Sequence, residues 1–155
     1  MSAVTDLAKR RLEELVSFFE INADVKVTEN DEAIELEILN NEATARLIGT
    51  RGETLRSIEH LVNMMIKRAT TERVRVNIDV AGYKKARDAS LEKMATEAAE
   101  RVLDSGVEEE LRPMSPAERR VVHLALRDIK GIMTESRGED PRRFIAIVKA
   151  QEVTH

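Results

Sequence analysis

The spacing of apolar residues switches from helical to alternating and back twice within the first eighty residues, and that order decides what the chain can build. Val4, Ala8, Leu12, Leu15, Val16 and Phe19 recur at three-to-four spacing, which predicts an amphipathic helix over residues 4–21. Val25 and Val27 then alternate with Lys26 and Thr28, and Ile34, Leu36 and Ile38 with Glu35 and Glu37. This period of two predicts strands over 24–29 and 33–40, joined as a hairpin by Asn30-Asp31. Helical spacing returns over 41–48 and 53–69, and a third strand is predicted over 73–80, with Val74, Val76, Ile78 and Val80 on one side. Its other side, Arg73 and Arg75, is expected to form salt pairs with Glu35 and Glu37 across an exposed sheet or dimer edge. Helices and strands mixed in this order give an α+β fold.

The two helical stretches are separated only by Gly49-Thr50-Arg51-Gly52. Two glycines three positions apart let a backbone pass close to a ligand with no Cβ in the way. The turn opens a helix, so its N–H groups and the positive end of the dipole suit an anion such as a phosphate. Arg51 at the tip adds a charged donor. Arg46 and Arg56 lie one turn to either side, either assisting or simply forming a solvated helix face. Alone, the pattern also fits a plain helix–turn–helix connection.

Residues 84–104 predict a long helix with Leu91, Met94, Ala95, Ala98 and Val102 as its stripe, stopped at Ser105-Gly106, and it is expected to pack on a neighbouring unit. A second unit starts near Val107. Ser115-Pro116-Ala117-Glu118 has the form of a capping box with proline at the first helical position, and the helix is expected to reach Lys130 before Gly131. Strands are predicted at 132–134 and 144–148 around the loop 135–141. At 100° per residue, Val121, Val122, Ala125 and Ile129 share one side of the helix, and Arg119, His123, Arg127 and Lys130 the other, with Arg120 at its edge. Residues 111–149 hold nine Lys and Arg against five Asp and Glu, whereas residues 1–82 hold eleven against fifteen. A basic C-terminal part is therefore hidden inside a formal net charge of -4.

In context these patterns resemble known domains. A hairpin, two helices around Gly-x-x-Gly and a further strand resemble a K-homology (KH) domain of type II, order αββααβ. The resemblance implies that Gly49, Thr50, Arg51 and Gly52 hold single-stranded RNA backbone beside a groove for the bases. Arg119-x-x-x-His123, followed by Thr134, Ser136, Gly138, Pro141 and Arg143, resembles the small α/β R-three-H domain. That resemblance implies one phosphate site for RNA, or for single-stranded DNA, built by Arg119, His123, Ser136 and Arg143, with Arg120 and Arg127 beside it. The whole resembles the Jag family, also called KhpB: KH at 2–82, a connecting helix at 83–106 and R-three-H at 107–151. The family resemblance implies post-transcriptional regulation tied to cell elongation and the envelope, and a small single-KH partner protein. Many members carry a further N-terminal domain, which these 155 residues do not contain, so no role of that domain is carried over.

Other chemistries find little support. There is no cysteine for disulfides, thiol nucleophiles or Cys-based zinc sites. His60, His123 and His155 stand at no metal spacing, and the glycine turn lacks a P-loop lysine. No catalytic residue, metal or cofactor is expected. No apolar run reaches the roughly 18 residues of a membrane helix, and the charged start of the chain is no signal peptide, so a cytoplasmic protein is expected. Three Phe and one Tyr are too few for base-stacking platforms. The competing reading is a protein–protein scaffold or dimerisation module on a KH fold, with a homo-oligomer open.

Overall fold

The structure, a computed structural model, describes residues 2–30, 32–39 and 44–150. The expected turn residue Asp31 and the start of the helix expected at 41 lie outside these, as do residue 151 and His155. The chain divides into two compact units, Met1–Lys84 and Lys85–His155.

The first unit runs α1 (Ala3–Ser17), β1 (Val25–Glu29), β2 (Ala33–Ile38), α2 (Ala45–Ile48), a 3-10 turn (Thr50–Gly52), α3 (Glu53–Ala69) and β3 (Arg75–Val80). Ser2 caps α1 by accepting from the Thr5 N–H at 3.2 Å. The helix ends four residues earlier than its periodicity predicts, because Glu20 turns into the left-handed region at φ 58° and Phe18 is left 84% exposed. Asn30 Oδ1 accepts from the N–H groups of Glu32 and Ala33, closing the hairpin from its own side chain. β2 pairs antiparallel with β1 and parallel with β3, in the order β1-β2-β3. Ile34, Leu36, Ile38, Val76, Ile78 and Val80 point inward against Ala8, Leu12 and Val16 of α1 and Leu55, Ile58, Val62 and Ile66 of α3.

The register corrects the expected salt pairs. Glu35 lies opposite Asn77 and receives its side-chain N–H at 2.7 Å, Glu37 lies opposite Asp79, and Arg75 lies opposite Ala33. A shift by an even number of residues along a strand, four here, keeps the face but changes every partner. Among the described residues the outer face carries Glu35, Glu37 and Asp79, with Lys26 beside Glu37 and Arg75 at the start of β3 as its cations.

β3 would otherwise leave its outer edge open. Asn63 of α3 donates to the Val76 carbonyl at 2.7 Å and accepts the Val76 N–H at 2.9 Å, as a neighbouring strand would. One turn earlier, Glu59 accepts the Ile78 N–H at 2.8 Å and pairs with Lys84. Two side chains four residues apart on one helix thereby close an edge that could otherwise template pairing.

The second unit contains most of α4 (Tyr83–Ser105), β4 (Glu109–Glu110), α5 (Pro116–Leu126), β5 (Ile132–Arg137) and β6 (Phe144–Lys149). α4 is more than a connector. Leu91, Ala95, Ala98, Ala99 and Val102 are buried with Leu111, Met114, Val122, Leu126, Ile145 and Ile147, so the helix is one side of this unit's core. The small alanines let it approach its neighbours closely. The capping box forms as expected: Ser115 Oγ accepts from Glu118 N–H, and Glu118 accepts from Ser115 N–H. α5 stops at Leu126, four residues short of the expected end, where Ile129 N–H bonds back to the Leu126 carbonyl and Gly131 turns at φ 83° beside Leu103. The sheet order is β4-β6-β5, all antiparallel, and β5 extends three residues further than its apolar pattern predicts. On its outer face Arg137 binds Glu108, Glu110 and Glu135, which raises the guanidinium pKa and lowers that of Glu108.

Replacing Asn63 by Ala is expected to leave the Val76 N–H and carbonyl without partners at a half-buried edge, costing about 1–3 kcal/mol in denaturant unfolding with an unchanged m-value. A loss below about 0.3 kcal/mol would mean that water serves the edge equally well. The Glu108, Glu109 and Glu29 carboxyls are all held below the ordinary carboxylate range, by Arg137, Arg101 and the Ser2 N–H respectively. Their contribution is present above that range and fades as pH falls through it. Thermal melts should therefore drop between about pH 5 and pH 3, and less in Arg137→Gln.

Candidate nucleic-acid interface

In the first unit the site is built on a single helical turn. Buried Leu47 anchors α2, and the Gly49 N–H bonds to the Ala45 carbonyl at 3.1 Å. Gly49 (φ 69°, ψ -172°) lies so close to Thr54 that any Cβ there would collide with its side chain. Arg51 (φ 51°) and Gly52 (φ 76°) follow in the left-handed region. The arginine is a residue type that rarely adopts it, at a cost of about 1–3 kcal/mol. Arg56 donates from Nη1 to the Arg51 carbonyl at 3.1 Å. Among the described residues no side chain caps the start of α3, and Glu53 is the acidic residue of its first turn. Arg46, Thr50, Arg51 and Arg56 are all exposed around this turn.

A groove of about 760 Å³ follows α3 toward β3, lined by His60, Asn63, Met64, Lys67, residues 70–74 and Arg75. A second depression, of about 520 Å³, is lined by Glu53, Arg56, Ser57, His60 and Leu61. His60 lines both, and the second includes Glu53 and Arg56 at the start of α3. Among the described residues no Phe or Tyr lines either, and the His60 imidazole is their one ring. Met64 is 47% exposed here.

In the second unit the structure rearranges the expected basic stripe. The buried face of α5 is Glu118, Arg119, Val122 and Leu126, while Leu124 is 45% exposed. Arg119 is turned inward: Nη1 donates to the Met114 carbonyl at 2.8 Å and to Asp140 Oδ1 at 2.8 Å. Its neighbour Glu118 pairs with Arg87 of α4 at 2.9 Å. Two charged side chains occupy the buried face because each meets an opposite charge and hydrogen-bonding atoms. Arg119 therefore does not share an open face with His123. Helix register alone could not reveal this, since Asp140 lies 21 residues away.

His123, Thr134, Ser136 and Arg143 do come together. His123 Nδ1 is 2.7 Å from Thr134 Oγ1, and Arg143 Nε donates to Ser136 Oγ at 2.7 Å. Thr134 and Ser136 are two residues apart on β5, so both hydroxyls face the same side of the sheet. Arg120 and Arg127 are exposed nearby in sequence; Arg127, the C-cap of α5, keeps helical backbone angles (φ -53°, ψ -39°), whereas Lys130 lies beyond the helix end. The segment carrying Arg143 leaves β5 at Gly138 (φ 83°) and passes a cis Asp140-Pro141 bond. Its return is fixed by Arg119–Asp140 and by the Met114 N–H on the Arg143 carbonyl. Among the described residues, no group of three His, Asp or Glu is placed to hold a metal ion, and no helix is long and apolar enough to cross a membrane.

Comparison with known proteins matches both halves. Residues 5–78 fit the family model for the KhpA/KhpB KH domain, and residues 89–149 fit the R-three-H domain, whose span includes most of α4. Relatives include "RNA-binding protein KhpB" of Clostridium symbiosum, 32% identical over 95% of this chain and 67% of its own length. The Bacillus subtilis protein of that name is 30% identical over 90% and 68%, and that of Streptococcus pneumoniae D39 is 27% identical over 86% and 40%. Fold and matches together define an α+β protein made of a KH unit and an R-three-H unit. The chain belongs to the Jag/KhpB family.

Arg119→Ala is expected to destabilise the second unit by about 1–2 kcal/mol. Asp140 is 54% exposed and can rehydrate, so the cost stays below that of a fully buried pair. His123→Ala should stay within about 0.5 kcal/mol in the same denaturant titration. Equal losses would mean that both residues are structural.

Proposed function

We propose that this chain binds single-stranded RNA without catalysing a reaction on it, gripping mainly the sugar–phosphate backbone. The observation that carries the reading is the Gly49–Gly52 turn: a backbone with no room for a Cβ at either glycine, opening the positive end of α3, among three exposed arginines. Phosphates approach Gly49, Thr50, Arg51 and Gly52, assisted by Arg46 and Arg56. Bases lie in the groove past His60 and Met64, with Lys67, Arg73 and Arg75 near neighbouring phosphates. Two features make this a reader of backbone more than of sequence. The groove offers a single ring among the described residues, the His60 imidazole, and the Val76 and Ile78 groups on the β3 edge are already bonded to Asn63 and Glu59. The acidic outer face of the sheet repels a polyanion and leaves the α3 side as the approach.

The cluster His123, Thr134, Ser136 and Arg143, flanked by Arg120 and Arg127, is a second phosphate site that takes RNA or single-stranded DNA. Arg119 supports it from behind. The outer face of that sheet contributes nothing to it, because Arg137 is surrounded by glutamates. We extend the proposal to a cytoplasmic role in post-transcriptional control linked to cell elongation and the envelope, and to association with a small single-KH protein or a second copy.

Fluorescence anisotropy with mixed-sequence single-stranded RNA and DNA over a salt series tests the reading. Wild type should bind RNA with a log–log salt slope of about -0.7 per phosphate neutralised. Thr50→Asp/Arg51→Asp should weaken binding about tenfold or more at low salt and flatten the slope. His123→Ala/Arg143→Ala should weaken binding separately, and the DNA arm assigns the second site's ligand. A folded wild type that binds neither polymer at low salt would leave the scaffold reading in its place.

A further inference from the structure

The glycine turn is packed against by a half-buried residue from far along the chain. Tyr83 stands 31 positions after Gly52, yet a Cβ placed on Gly52 would lie 2.7 Å from Tyr83 Cε1, 3.3 Å from its hydroxyl oxygen and 3.4 Å from Cζ. The ring edge occupies the space that any other residue at position 52 would need. Tyr83 is brought there by an unusual return of the chain. β3 ends at Val80, Ala81 and Gly82 both take left-handed backbone (φ 52° and 72°), and α4 begins at Tyr83. The Lys84 N–H donates to Asp79 Oδ1 at 3.2 Å, and the Lys84 ammonium pairs with Glu59 of α3, so the first residues of α4 are tied to the strand and helix beside the turn.

We propose that Tyr83 is a positioning residue for the nucleic-acid clamp: its ring holds Gly52, and through it the left-handed Arg51, in the backbone shape that aims the turn at a phosphate. The proposal rests on the RNA-binding reading above. A left-handed arginine persists only where its surroundings over-determine it. Three contacts do so here: Gly49 against Thr54, Arg56 on the Arg51 carbonyl, and Gly52 against Tyr83. The first two come from within five residues of the turn. Tyr83 links it to the far end of the strand, which makes clamp shape depend on how the chain leaves the sheet.

Tyr83→Ala should then release the turn. If the clamped shape falls to about a tenth of the population, RNA affinity falls about tenfold. The salt slope should stay at the wild-type value, because no cation is removed; Arg51→Asp, by contrast, changes it. Tyr83→Phe should restore affinity, since the ring edge is retained. Tyr83 is the chain's single tyrosine, so its ring resonances can be followed by NMR without substitution; they should shift on RNA addition with the midpoint seen by anisotropy. A folded Tyr83→Ala with wild-type affinity overturns the proposal. Should that variant fail to fold, the wild-type titration decides, and ring resonances unmoved at saturating RNA overturn it. Wild type that binds no RNA overturns the reading beneath, and this proposal with it.

Discussion

Parallel pairing between β2 and β3 is the constraint from which the first unit follows. Antiparallel neighbours can be joined by two residues, as β1 and β2 nearly are, but parallel neighbours need a crossover that returns the chain to the same end of the sheet. Here the crossover is α2, the glycine turn and α3. The turn is thus an exposed corner between two helices whose inner faces are pinned by Leu47, Leu55 and Ile58. An exposed corner on a rigid base is where backbone N–H groups can be offered to a ligand without unfolding anything. The same crossover lays α3 alongside β3, which lets Asn63 and Glu59 finish the strand edge and leaves a groove beside them.

The second unit solves a different problem. With aromatic content this low, its core rests on alanines of α4 and a few branched residues, and charged side chains complete its margins. Glu118 and Arg119, adjacent on α5, are both nearly buried and each is matched from elsewhere, by Arg87 and by Asp140 with the Met114 carbonyl. A buried charge with a good partner is weak evidence of added stability, but it does specify where the partner must be. In this unit that partner holds the segment leading to Arg143, so electrostatics spent on the core also arranges the surface.

Both units present similar chemistry by different means. One offers a Cβ-free turn at the start of a helix, with arginines around it; the other offers two hydroxyls and a guanidinium on a sheet. Each has acidic residues gathered on another face, Glu35, Glu37 and Asp79 in the first unit and Glu108, Glu110 and Glu135 in the second, while Glu53 stands beside the glycine turn. A slightly acidic protein is compatible with a polyanionic ligand because potential is local at physiological salt.

Much of this was legible in the amino-acid order. Hydrophobic period, the Ser115 capping box, the Asn30 turn and the glycine pair are dictated by residues within a few positions of one another, and the elements they imply are present. Element ends moved where a left-handed residue or a tight turn intervened, at Glu20 and after Leu126. Strand register, the inward turn of Arg119 and the contact of Tyr83 with Gly52 were not legible. Each is decided by a partner 21 or more residues away, and periodicity carries no information about which distant side chain will arrive. By itself the sequence determined which segments are helix or strand and that a Cβ-free turn opens α3. The tertiary structure alone decided which arginines face solvent and what holds the turn in shape, because burial and charge pairing are settled between segments, not within them.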